Sequence, residues 1–287
     1  MTCLTPRFPA MVALLAAATL TAAPALAGEI RVTVTNDQPN GGFTLAPIWL
    51  AVQDGSFSAF TPGLSASSQI TTLAQFGNTA PLSAQFEAAN AGVDTTLKSG
   101  QSLPQFLPGQ SNSTTIDVTN PTLDRYLSFA GMVVPSNDFF LGNATPLALF
   151  NADGSFKGPM TLSIYGSNIW DSGTEAQSLT TGLTFIAGQT PGSGTQISGG
   201  TITSLFSEPT ASDFLGGIIG KTTAAGYTIS DVPTSGDLLA TITISSVPEP
   251  GSLVLLGLGV AGMFGARRLR RPRPTGNVVT DPTFFIR

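Results

Sequence analysis

Asp171 and Glu175 stand four residues apart around Gly173, a spacing that lets a tight turn bring two carboxylates together. Asp138 follows a β-rich run that ends at Pro135, which places it on a loop. Oxygen-only sets of this kind suit a hard cation: calcium takes about 6–8 oxygens from carboxylates, carbonyls and water. Three acids gathered without a cation would repel one another. Spread apart, the same three are ordinary solvated loop acids. Paired carboxylates also cleave glycosides, and Glu87, Asp94 and Glu175 are the candidates, but nothing around them marks a sugar cleft. Other catalytic chemistry is scarce. The chain has no histidine and one cysteine, Cys3, which excludes imidazole-based nucleophile systems and metal sites built on His or Cys. It has neither a Gly-x-Ser-x-Gly elbow nor a phosphate-binding loop. The expectation is a protein without enzymatic activity.

Short strands must position these loops. Ile30, Val32 and Val34 alternate with Arg31, Thr33 and Thr35, and Ile242 and Ile244 alternate with Thr241 and Thr243, the period of a half-buried strand. Further β-rich runs are Ser113 to Val118, Tyr126 to Val134, Thr161 to Tyr165 and Leu183 to Ala187. Turn residues separate them, as in Pro39-Asn40-Gly41-Gly42 and Pro191-Gly192-Ser193-Gly194. This pattern predicts an all-β fold, an antiparallel β-sandwich, with a helix near Pro81–Ala91. The stretch from Thr190 to Asp237 is rich in Ser, Thr and Gly and reads either as a looser second half of the sandwich or as a linker. Trp49 and Trp170 read as packing residues or as sugar-stacking platforms.

Both ends carry targeting signals. Arg7, the apolar run Met11 to Ala23 and the small-x-small site Ala25-Leu26-Ala27 predict a signal peptide over 1–27. At the other end, Pro248-Glu249-Pro250 precedes an apolar stretch over 251–266 and an arginine cluster from Arg267 to Arg273. Sixteen helical residues reach about 24 Å, short for a bilayer but workable with snorkelling arginines. A single transmembrane helix is therefore expected before processing. Gly257, Gly259 and Gly262 fit a dinucleotide fingerprint by spacing alone; no strand precedes them, so they read as membrane-helix glycines. Between the ends, residues 28–247 hold fifteen acidic and five basic side chains, net −10, which argues against nucleic acid as a partner.

The tail resembles the PEP-CTERM sorting signal of exported bacterial proteins: Pro-Glu-Pro, a short apolar helix, then arginines. That resemblance implies an exosortase as partner, processing near Pro248, Glu249 and Pro250, and the cell envelope or extracellular matrix of a Gram-negative bacterium. The chain departs from it by running on over 274–287.

Three patches carry a second resemblance. They are Leu45 to Phe57 with Leu73-Ala74-Gln75-Phe76-Gly77-Asn78 and Pro81-Leu82, then Tyr126 to Gly142, which contains Met132-Val133-Val134-Pro135-Ser136-Asn137-Asp138, and finally Trp170-Asp171-Ser172-Gly173-Thr174-Glu175. Together, over about Glu29 to Gln177, they look like the spondin N-terminal domain. The resemblance implies a C2-like β-sandwich and a calcium site built from Asp138, Asp171 and Glu175. Two departures stand out: Gln53 where bacterial members often carry His, and Ser172 where Ala is usual. The organisation expected is a signal peptide at 1–27, a spondin-like domain at 28–246 whose motifs lie in 29–177 and whose 178–246 portion is less defined, a sorting signal at 247–273 and a short tail. The function expected is calcium-dependent adhesion or matrix association, with exopolysaccharide or cell-surface matrix components as partners. The alternatives are a structural matrix protein without a specific ligand and, behind it, a glycan-active hydrolase.

Overall fold

The computed structural model describes residues 28–247 and the single position Gly259. The signal peptide expected over 1–27, the Pro248-Glu249-Pro250 motif, the apolar stretch over 251–266 apart from Gly259, and the tail lie outside the described residues. Among the described residues no helix is long and apolar enough to cross a membrane.

In chain order the strands are β1 (Glu29–Asn36), β2 (Thr44–Leu45), β3 (Ile48–Gln53), β4 (Gly92–Leu97), β5 (Ser111–Asp117), β6 (Tyr126–Val134), β7 (Phe139–Gly142), β8 (Leu147–Ala148), β9 (Met160–Tyr165), β10 (Ile169–Asp171), β11 (Thr203–Ser204) and β12 (Leu238–Ser246). The helices are α1 (Ser68–Phe76), α2 (Ala80–Ala89) and α3 (Ala211–Ile218). One sheet has the order β5-β1-β12-β9. The other runs β11-β10-β7-β6-β3-β4, with β2 and β8 also paired to β6. Every strand pairing is antiparallel.

The alternation in β1 and β12 does what its period requires. Ile30, Val32, Val34, Ile242 and Ile244 point inward and meet Leu50, Val52, Leu127, Phe129 and Leu141 of the second sheet in one buried core. β3 and β6 read differently, as continuous apolar runs, because both faces are covered. One face of β3 joins that core; the other puts Trp49 and Ala51 against Ile70, Leu73, Leu82 and Phe86 of α1 and α2. Burial on both faces removes the polar alternate positions. A helical layer thus lies over the second sheet. The helix expected near Pro81–Ala91 is α2; α1 was not anticipated. Ser67 caps α1, its Oγ accepting from the Ile70 N–H, and Gly77 ends it at φ 64, where a Cβ would press on Ala46.

The run Leu183 to Ala187 corrects the sequence reading. It forms only isolated bridges, Ser136 to Thr184 and Ile186 to Thr223, and Phe185 sits at φ 71, which breaks an extended strand. The Ser/Thr/Gly-rich stretch holds β11 and α3, and the strand that follows it, β12, lies in the middle of the first sheet. Trp49 is fully buried, its Nε1 donating to Asp94 at 2.7 Å, so it is a core residue and no sugar platform. Gln53 is also fully buried: its amide donates to the Phe57 carbonyl and Ser128 Oγ and accepts from the Phe57 N–H. At this departure from the family pattern the side chain pins the loop after β3.

Candidate metal centre

Asp138 sits in the turn between β6 and β7. Ser136 shapes that turn, its Oγ donating to the Val133 carbonyl at 2.6 Å and accepting from the Phe139 N–H at 3.0 Å. Asp171 ends β10, directly opposite Phe139 on β7. The pairing of β7 with β10 therefore brings the two acidic motifs together, although 33 residues separate Asp138 from Asp171.

The segment after Asp171 wraps the Asp138 carboxylate. Oδ2 of Asp138 accepts from Ser172 Oγ at 2.7 Å, from the Thr174 N–H at 2.7 Å, from Thr174 Oγ1 at 3.0 Å and from the Glu175 N–H at 3.0 Å. Ser172, the second departure from the family pattern, supplies one of these four bonds. Gly173 takes φ 66, and a Cβ there would meet the Thr201 carbonyl at 2.6 Å, so the turn demands glycine. Every named donor is neutral. Asp138 is wholly buried, and its other oxygen, Oδ1, has no hydrogen-bond partner.

Asp171 and Glu175 leave this turn toward different neighbours. Asp171 accepts from the Gly173 N–H and from Gln177 Nε2, each at 2.7 Å. Burial pushes its carboxyl up to about 7, and the neighbouring Asp138 charge adds to that. Gln177 Nε2 also donates to Glu208 at 3.2 Å, and Glu208 is held by Thr203 Oγ1 at 2.9 Å. Glu175 accepts from the Gly194 N–H at 2.6 Å through Oε1, while its buried Oε2 is unpartnered. Burial raises the Glu175 carboxyl above the ordinary glutamate range, against the lowering effect of the Gly194 N–H. A Cβ at Gly182 or at Gly194 would collide with Glu175 Oε1. Two glycine loops thus close over this acid with no room for a side chain.

Among the described residues, no three His, Cys, Asp or Glu side chains converge into a group able to hold a metal ion. The turn joins Asp138 to the backbone of the 172–175 segment, but it does not build a shell of three carboxylates. What it does contain is an excess of buried oxygen. Asp138 Oδ1, Glu175 Oε2 and Gln177 Oε1 are all buried without a partner. Buried polar atoms are nearly always hydrogen bonded, so these orphan oxygens set the turn apart from ordinary buried structure. Sequence reasoning did not find Gln177, Gly182, Gly194 or Glu208. All four are brought here by chain that carries no motif.

The Spondin_N family model matches residues 37–216. This chain belongs to the spondin N-terminal family. The matched span runs from β2 into α3, further than the three motif patches reach, and contains both acidic turns. β1 and β12, which complete the spondin domain's first sheet, lie outside the match. Spondin N-terminal domains form a non-catalytic family. A second model, the PEP-CTERM protein-sorting motif, matches residues 246–271. The spondin domain is thus joined directly to an export and sorting signal, which marks an exported, envelope-associated protein that an exosortase processes. No curated protein matches the chain.

Proposed function

We propose that this exported protein binds calcium at the turn formed by Asp138 and the 171–175 segment, and that the bound ion stiffens a domain acting in adhesion or matrix association outside a Gram-negative cell. The observation that carries the reading is the buried Asp138 Oδ1 without a partner, beside an Asp171 whose carboxyl is pushed up to about 7. Asp138 and Asp171, neighbours across the turn, would supply the anionic oxygens. Gln177 and water would help complete the 6–8 oxygens of about 2.3–2.6 Å that calcium takes. The ion would neutralise charge that no basic side chain offsets among the hydrogen-bond partners of these acids.

Thermal unfolding in millimolar calcium against chelator tests this. Extracellular calcium modules bind at about 10⁻⁴–10⁻³ M, so saturating calcium should raise the melting temperature, and Asp171→Asn should remove most of the rise. Equal melting with calcium and with chelator would sink the metal reading.

A second reading is a structural matrix protein with no ligand. It is favoured by the four hydrogen bonds that Asp138 Oδ2 takes from its own chain, which latch the two turns without an ion. Under this reading Asp138→Asn lowers the melting temperature by the same amount in calcium and in chelator. Neither reading assigns catalysis to the acids at the turn. Asp94, a candidate for glycan cleavage, is occupied by Trp49 and Ser83, and Glu175 is closed off beneath glycine loops.

A further inference from the structure

The outer face of the β5-β1-β12-β9 sheet carries hydroxyls in register. One row across all four strands reads Ser113, Thr33, Thr243, Thr161. The next reads Ser111, Thr35, Thr241, Ser163. None of the eight is buried. Strands lie about 4.8 Å apart and alternate residues about 6.8 Å along a strand, so the two rows form a field of hydroxyls four strands wide. Strand propensity accounts for threonine at such positions but not for serine. What the eight share is the hydroxyl.

The charge pattern is equally selective. Residues 28–247 carry a net charge of −10, yet both rows are uncharged. Glu29, Arg31 and Asp117 gather beyond them at one end of the sheet, Glu29 opposite Asp117. Solvated sheets and strand edges usually carry Lys and Glu. Within the rows only Thr35 and Ser111 are hydrogen bonded to each other, at 2.9 Å. A polyanion would find no cation in the rows and a like-charged domain behind them. An apolar protein surface would find no anchor. A neutral polymer rich in hydroxyls would find donors and acceptors matched to its own. One of the two central strands of this face, β12, runs straight into the sorting motif at residue 246, so in an exported protein the face is carried outside the cell.

We propose that this face docks a neutral polysaccharide through the two hydroxyl rows. The assignment rests on the exported, matrix-associated reading and is independent of calcium. The test is retention of the full-length exported protein on two neutral insoluble polysaccharides, cellulose and cross-linked dextran, with alginate as the polyanion. Retention on a neutral matrix should survive high salt and chelator. The double variant Thr33→Val, Thr243→Val keeps the β-branched shape and the melting temperature, and its retention should fall about three- to tenfold. Absence of retention on both neutral matrices, retention on alginate alone, or equal retention of the variant overturns the proposal. Retention that requires calcium and is lost in Asp171→Asn but not in the valine variant would place adhesion at the acidic turn. That result overturns this face and leaves the calcium reading standing.

Discussion

At the scale of single residues, the acidic turn is governed by what its oxygens lack. Asp171 holds its proton more tightly in the folded protein than in the unfolded chain, because it is buried beside Asp138. A raised carboxyl contributes stability that is complete below about pH 4, the ordinary Asp value, and is lost as pH rises through about 7. Denaturant midpoints measured in chelator should therefore fall from the acid to the alkaline side of neutrality, and Asp171→Asn should flatten that slope. A slope unchanged by the substitution would mean that another group titrates. Gly194 tests the closure over Glu175. Its Cβ would strike Glu175 Oε1 without any positive-φ strain, so Gly194→Ala should cost about 1–3 kcal/mol through overpacking, seen as a lower midpoint in chelator.

At the scale of elements, the helical layer depends on local signals that are small but specific. Ser67 satisfies one of the free N–H groups at the start of α1, and Ser67→Ala should cost about 1 kcal/mol, measurable as a shift in denaturant midpoint at constant slope. α1 also touches the candidate site: Gln75 near its end donates to Thr174 and Gln196, and the Gln75 carbonyl accepts from Thr184. The helix therefore braces the turn that holds Asp138. α1 was hard to foresee because Ser68 to Phe76 is short and rich in threonine, a weak helix former. Its stability comes from laying Ile70 and Leu73 on the outer face of the second sheet.

At the scale of the whole molecule, the first and last strands close the fold. β12 lies between β1 and β9, in register with β1 from Ile30–Ser246 to Asn36–Ala240. A chain truncated before Leu238 loses the middle of one sheet and exposes Val32, Val34 and Ile164, whose inward faces need a partner layer. Such a truncation should lose cooperative thermal unfolding, even though it retains the whole span matched by the spondin family model. Cooperative unfolding of the truncated chain would show that the second sheet and its helices stand alone.

Composition and local pattern determined a good deal. The missing histidines and the lone Cys3 confined any metal site to oxygen ligands. Period-two alternation located β1 and β12, because a strand with one wet face must alternate, and β-rich composition located β5, β6 and β9. The Ser136-Asn137-Asp138 and Asp171-to-Glu175 motifs named the acids at the turn, because their glycine and hydroxyl neighbours are contiguous in sequence. The tertiary structure alone decided the rest. The second sheet is covered on both faces, so β3 and β6 show no alternation that would reveal a helical layer above them. Leu183 to Ala187 has strand composition but bends at Phe185 to bridge Ser136 and Thr223. The unpartnered oxygens of Asp138, Glu175 and Gln177 are a property of the space around them, set by glycine loops and a glutamate that arrive from 11 to 37 residues beyond Asp171. Propensity and spacing act over a few residues, whereas the burial of a charge depends on everything folded around it.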